Sequence, residues 1–172
     1  VANETDNSVI ITDKDGLIEY INPGFKKLTG FTLNEALGKK PGELLQGKHT
    51  DPDTVKKIRA KLDAKEPFYD EILNYDRDGT SYWISLAINP VFDDKGELIR
   101  FISIQANVTD TKVRALEFTY KLDAISRANA VAEFSLDGRV ETVNDNYLKI
   151  FGLNNMEQLQ GKKLDDLLHS EF

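Results

Sequence analysis

Two carboxamides, Asn74 and Gln105, stand in stretches that read as β-strands, and a carboxamide can both donate and accept hydrogen bonds. Read singly, each has a plainer role open to it: Asn74 as a polar residue beside a turn, Gln105 as a solvent-facing sheet residue. The chain has no cysteine, so disulfides, thiolate metal sites and cysteine nucleophiles are excluded. Its two histidines are His49 and His169. His49 precedes a predicted helix and is either an axial ligand or a surface loop residue. No nucleophile–base pair and no carboxylate–histidine cluster is evident, and Asp93-Asp94 beside Lys95-Gly96 is turn chemistry. The expectation is a binding module and not an enzyme.

The elements that must position the amides form a meander. Asp78-Gly79 and Lys95-Gly96 are turn dipeptides between runs rich in Ile, Tyr, Trp, Phe and Val, which predicts three antiparallel strands from about residue 67 to 105. Period-two alternation puts Tyr82, Ile84, Leu86 and Ile88 on one face of the middle strand and Trp83, Ser85, Ala87 and Asn89 on the other. On the last strand Phe101, Ser103 and Gln105 share a face opposite Ile102 and Ile104. Large apolar groups on both faces predict a sheet covered on both sides.

Earlier in the chain, Asp15-Gly16 joins two further strands, 8–12 and 17–22. Asn22-Pro23 opens a short helix closed by Gly30, and Thr32 caps another with Glu35 as its capping-box partner. Residues 39–51 read as an irregular wall with one helical turn. Asp51-Pro52-Asp53 starts a helix to Lys65 with Val55, Ile58 and Leu62 on one stripe. The fold class is α+β: a five-stranded antiparallel sheet with short helices on one face. A polar stretch without Gly or Pro from Asp110 to Arg127 reads as a linker helix. Then the chain repeats itself, Ala130–Asn144 matching Ser8–Asn22, with Gly138 on Gly16 and Asn144 on Asn22. The predicted organisation is a domain at 3–110, a linker helix at 111–127 and the first half of a second domain at 128–172.

The net charge of −7 and pI near 4.9 argue against binding a nucleic-acid backbone. No run approaches the ~20 apolar residues of a membrane helix. The chain starts at Val1 without a signal-peptide pattern, which reads as a cytoplasmic piece of something longer.

Asp15-Gly16, Asn22-Pro23, Leu28-Thr29-Gly30-Phe31, Gly38-Lys39-Lys40-Pro41, Leu45-Gln46-Gly47, Asn74-Tyr75, Asp78-Gly79 and Tyr82-Trp83 together resemble the PAS sensory domain. The pattern is most similar to its flavin-binding branch, which includes light-sensing LOV domains and redox and aerotaxis sensors. By that resemblance Asn74 and Gln105 face a flavin ring, and Gln46 lies toward the ribityl chain and phosphate. Ile84, Leu86, Phe101 and Ser103 complete the implied cofactor-binding set. Two departures matter. The second ring-contacting asparagine of LOV domains would fall at Ile84, and their photoreactive cysteine would fall at Pro41 or Gly42. Without a thiol there is no cysteinyl–flavin adduct, so the resemblance implies a flavin used for redox sensing, FAD rather than FMN.

Two function classes follow. One is a cytoplasmic input module of a chemoreceptor or sensor histidine kinase that reads redox state or oxygen through its flavin. The other is a cofactor-free, metabolite-binding or haem-binding domain acting in dimerisation and relay. The long helix, 54–65, contains no histidine for haem. In either class the resemblance implies a homodimer, paired through the outer sheet face at Trp83, Ile102 and Ile104. Val113, Leu116 and Tyr120 of the linker helix would lie near the two-fold axis, or that helix would fold back over Trp83 in a monomer.

Overall fold

A computed structural model describes residues 7–163, so His169 and the end of the second repeat lie outside the described residues. The chain divides into two compact units at Lys112/Val113.

In the first unit, strands β1 (Ser8–Asp13) and β2 (Ile18–Ile21) form a hairpin, followed by helices α1 (Pro23–Thr29), α2 (Leu33–Ala36), α3 (Pro41–Leu45) and α4 (Pro52–Asp63). Strands β3 (Phe68–Tyr75), β4 (Ser81–Phe92) and β5 (Leu98–Asn107) complete one antiparallel sheet of order β2-β1-β5-β4-β3. Local chemistry sets the boundaries. Asp13 Oδ1 accepts from the N–H groups of Asp15 and Leu17, shaping the first turn, and Gly16 takes the left-handed φ of 81° that the turn requires. Thr32 and Glu35 form the expected capping box. Asp51 caps α4 through the N–H groups of Asp53 and Thr54.

The core lies between the sheet and the helices. Tyr82, Ile84, Leu86 and Ile88 are buried with Phe68, Ile72 and Phe101, and Val55, Ile58 and Leu62 of α4 pack on them. A second cluster holds Ile10, Ile18, Ile21, Phe25, Ala36 and Leu45. Two expectations, the end of the α4 helix and a sheet covered on both sides, are corrected. The helix ends at Asp63, because Lys65 turns to a left-handed φ of 55° and cannot continue it. Strand β4 runs through Pro90 to Phe92, beyond Ile88, which pairs with Phe68 at the start of β3; there a missing N–H breaks no bond to β3. Within the first unit, helices cover one face of the sheet only. The other face leaves Tyr69 66% and Ile104 43% exposed, since α4 has a single apolar stripe and it serves the core side.

Helix α5 (Thr109–Ala128) begins in this unit and has no buried residue. Its root is fastened to β4: the Trp83 N–H donates to Thr109 Oγ1 at 2.9 Å, and the Val108 N–H donates to the Trp83 carbonyl. Lys112 lies 4.5 Å over the Trp83 ring and pairs with Glu71.

The second unit holds β6 (Ala132–Phe134), β7 (Val140–Val143), α6 (Asp145–Ile150) and a short 3₁₀ turn, with Val140 and Leu159 buried. It repeats the first in atomic detail. Asn22 Oδ1 accepts from Val9 and Phe25, and Asn144 Oδ1 accepts from Val131 and Tyr147. Both amides also donate to a backbone carbonyl fifteen residues earlier, at Asn7 and Asn129.

Candidate functional site

The antiparallel register decides which side chains meet. Asn74 on β3 pairs with Tyr82 on β4, while Gln105 on β5 lies between Leu86 and Ser8. Side chains of one parity along these strands point at the helices, and there a cavity of about 710 Å³ opens between sheet, α3 and α4. Its apolar walls are Ile72, Leu86, Ile88 and Phe101 from the sheet and Val55, Ile58 and Leu62 from α4. Its polar groups are Asn74, Gln105, Ser103 and, at the end of α3, Gln46.

Asn74, Gln105 and Ser103 are buried, at 4%, 3% and 7% exposed, so their polar atoms need partners inside the fold or in the cavity. Ser8 Oγ donates to Gln105 Oε1 at 3.4 Å, and Gln105 Nε2 donates to Ser103 Oγ at 3.5 Å. Both bonds are long and therefore weak, leaving the Gln105 amide easily re-partnered. Gln46 is half-buried with its amide against Gly42; a Cβ there would lie 2.9 Å from Gln46 Nε2, so glycine gives that amide its room. Exposed Lys14, Lys40 and Arg59 stand at the rim among Asp15, Glu43 and Asp63.

Six of the seven sequence-predicted residues thus line one cavity: Asn74, Gln105, Gln46, Leu86, Phe101 and Ser103. Ile84 does not. It is fully buried in the apolar core, opposite Ile72, and offers no surface to the cavity. His49 is exposed, its N–H donating to Tyr75 Oη, and lies off the cavity lining, so it is no axial ligand for a group bound there. Among the described residues no cluster of three His, Cys, Asp or Glu could hold a metal ion, and no helix is long and apolar enough to cross a membrane.

Three residues escape a sequence reading. Ser8 needs the β1–β5 register to be placed opposite Gln105. Arg59 is one of several cations on α4, and only the helix phase turns it to the rim. Tyr82 is legible as an inward residue but not as a polar one: its hydroxyl is buried beside the Asn74 amide without a hydrogen bond of normal geometry. Burial pushes its ionisation far above the ordinary tyrosine range, the Asp76 charge adds to the shift, and the Asn74 amide opposes it.

Comparison with known proteins agrees with this architecture. The PAS domain family matches residues 6–110 and again 129–172. The chain is 32% identical over 145 residues to the biofilm dispersion protein BdlA of Pseudomonas aeruginosa, covering 84% of this chain and 35% of that protein. It is 35% identical over 130 residues to a blue-light-activated histidine kinase of Brucella canis, covering 76% of this chain and 26% of the kinase. It therefore spans about a third or less of the curated relatives it matches. Among solved structures it is similar to an RNA-binding Light-Oxygen-Voltage receptor, with a TM-score of 0.63, 25% identity, and 71% of this chain and 35% of that one covered. It is also similar to the dark structure of the blue-light photoreceptor Aureochrome1 LOV, with a TM-score of 0.59, 31% identity, and 67% and 86% covered. With the family model matching most of the first unit and the repeat that follows it, the chain belongs to the PAS domain family.

Proposed function

We propose that the first unit is a flavin-binding sensory domain, that it senses redox state or oxygen, and that α5 passes its state onward in a cytoplasmic signal transducer. The single observation that supports this reading most is the cavity itself, apolar on its long walls with two buried amides facing it. Its size falls in the range of small-molecule sites, which favours a ligand over a core packed with its own side chains. The donor set fits a flavin: apolar walls for the ring faces, amides for the polar ring edge, and rim cations Lys14, Lys40 and Arg59 for phosphate. Similarity to a blue-light-activated histidine kinase and to LOV structures points the same way.

A bound flavin supplies a ring whose N5 gains a proton on reduction. The residues supply the reading of that change. Gln105 holds its two partners weakly, so its amide can turn about and exchange donor for acceptor toward the ring. Turning it disturbs Ser8 on β1 and Ser103 on β5, and β5 runs into the root of α5 two residues after Asn107. With no thiol in the chain, redox state and not adduct formation is the signal. Following the redox-sensing branch of the family, the flavin is taken to be FAD. The domain is proposed to sense rather than catalyse, and to act as a homodimer joined to a downstream kinase or chemoreceptor module.

An absorbance spectrum of purified protein tests this. Oxidised-flavin bands that bleach with dithionite are expected, and chromatography of the heat-released cofactor separates FAD from FMN. A colourless protein that takes up neither on refolding overturns the reading; a sharp Soret band replaces it with haem.

A further inference from the structure

We propose that Tyr82 is a positioning residue that donates to Asn74 Oδ1 when the cavity is filled, so that Asn74 turns its Nδ2 toward the ligand and demands an acceptor there. The inference rests on the flavin reading for its ligand, but its evidence is this chain's own.

Tyr82 Oη is, among the described residues, the one buried side-chain polar atom without a hydrogen bond of normal geometry, and the group beside it is the Asn74 amide. The residue is 6% exposed and sits directly across the β3–β4 ladder from Asn74, itself 4% exposed and on the cavity wall. A buried hydroxyl left unpaired is destabilising, and a phenylalanine would fill the same space without that cost. The natural partner is the neighbouring amide. The amide opposes the upward shift of the phenol, as an N–H facing Oη does. A ligand acceptor that draws Nδ2 away turns the amide over, and the phenol, a stronger donor than acceptor, then gives its Oη–H to Oδ1.

The other amide already shows this arrangement. Gln105 Oε1 is taken by the hydroxyl of Ser8, its cross-strand partner on β1. The Ser8 bond is long and leaves Gln105 free to turn, whereas Tyr82 acting on Asn74 would fix that amide. The Asn74 end of the wall then presents an amide N–H to the cavity. It selects a planar ring whose edge carries carbonyl or imine acceptors, and it disfavours rings edged by donors.

Four proteins decide the point: wild type, Tyr82→Phe, Asn74→Leu and the double variant. FMN and FAD are titrated into flavin-free protein, and melting temperatures are recorded without flavin. The expected result is about two- to tenfold weaker flavin binding for Tyr82→Phe, and less than about twofold further change when the same substitution is made in Asn74→Leu. Unchanged affinity in the wild-type background overturns the inference. So does an equal loss in both backgrounds, because a structural role independent of Asn74 would act in each. If wild type takes up neither flavin, the functional reading fails separately, and the flavin-free melts judge Tyr82. A higher melting temperature for Tyr82→Phe supports the stranded hydroxyl, and an equal or lower one overturns it.

Discussion

Ser8 and Gln105, 97 positions apart in sequence, face each other across β1 and β5, the serine hydroxyl donating to Gln105 Oε1 at 3.4 Å. The distance is long enough for Gln105 to change partners, and that freedom separates binding from reporting. Gln105→Leu is expected to keep most flavin binding and to lose redox-dependent change in α5, read as hydrogen exchange of residues 109–128 before and after dithionite. Equal redox-dependent exchange in wild type and variant would remove Gln105 from the signalling path.

Asn74 has the complementary proposed role of holding the ring. Loss of one buried, hydrogen-bonded amide is worth on the order of 1–3 kcal/mol, so Asn74→Leu is expected to weaken flavin binding roughly five- to hundredfold. Fluorescence titration of the folded variant measures it; wild-type affinity would refute the assignment.

Light is expected to leave no stable adduct, because a cysteinyl–flavin bond needs a thiol and the chain has no cysteine. Spectra taken before and after blue illumination under air are expected to superimpose once the lamp is off. A long-lived near-ultraviolet species that reverts in the dark would contradict this.

The uncovered sheet face and the bare α5 predict pairing. Tyr69 and Ile104 are exposed on the sheet, as are Val113, Leu116 and Tyr120 on the helix, the last three within one stripe. Light scattering is expected to give a dimer for wild type and a shift toward monomer for Leu116→Asp. Monomer in both would overturn the pairing.

How far these features were legible depends on the distance over which they are written. Short-range chemistry was explicit: Asp15-Gly16, the Thr32–Glu35 box and Asp51-Pro52 each fixed a turn or cap within four residues. Strand parity put Leu86 on one face of the middle strand and Phe101, Ser103 and Gln105 together on one face of the last, while the facing of Asn74 and Gln105 toward a ligand came from the family resemblance; the structure lines one cavity with all five. Parity does not distinguish an inward residue at the cavity from one beneath it, and Ile84, on the same face as Leu86, went into the core. That outcome is set by Ile72 across the ladder and by the helices above, which are tertiary facts. Ser8 and Tyr82 depend on cross-strand register for the same reason.

Acid is expected to loosen α4. Thr54, through its hydroxyl and then its N–H, and the Asp53 N–H hold the Asp51 carboxyl below its ordinary value of 3.8. A carboxyl depressed on folding contributes stability that is full above the unfolded value and is lost as pH falls through the folded one. The melting temperature of wild type should therefore drop more between pH 5 and pH 3 than that of Asp51→Asn, in which no carboxylate titrates at the cap. Parallel curves would show that the cap carries no linkage.

The asparagine brackets have a kinetic consequence. Asn22 closes loops of 13 and 15 residues, and Asn144 closes two of the same lengths, whereas the β1–β5 pairs lie 87 to 97 residues apart. Short loops close first, at little entropic cost, and long-range ladders follow. Each bracket gathers its strand pair and the start of its helix before any distant strand is needed. In the first unit it gives β5 a ready-made edge to find. Asn22→Ala is therefore expected to slow refolding, and not merely to speed unfolding, in stopped-flow traces; a change confined to the unfolding rate would show that the bracket closes last.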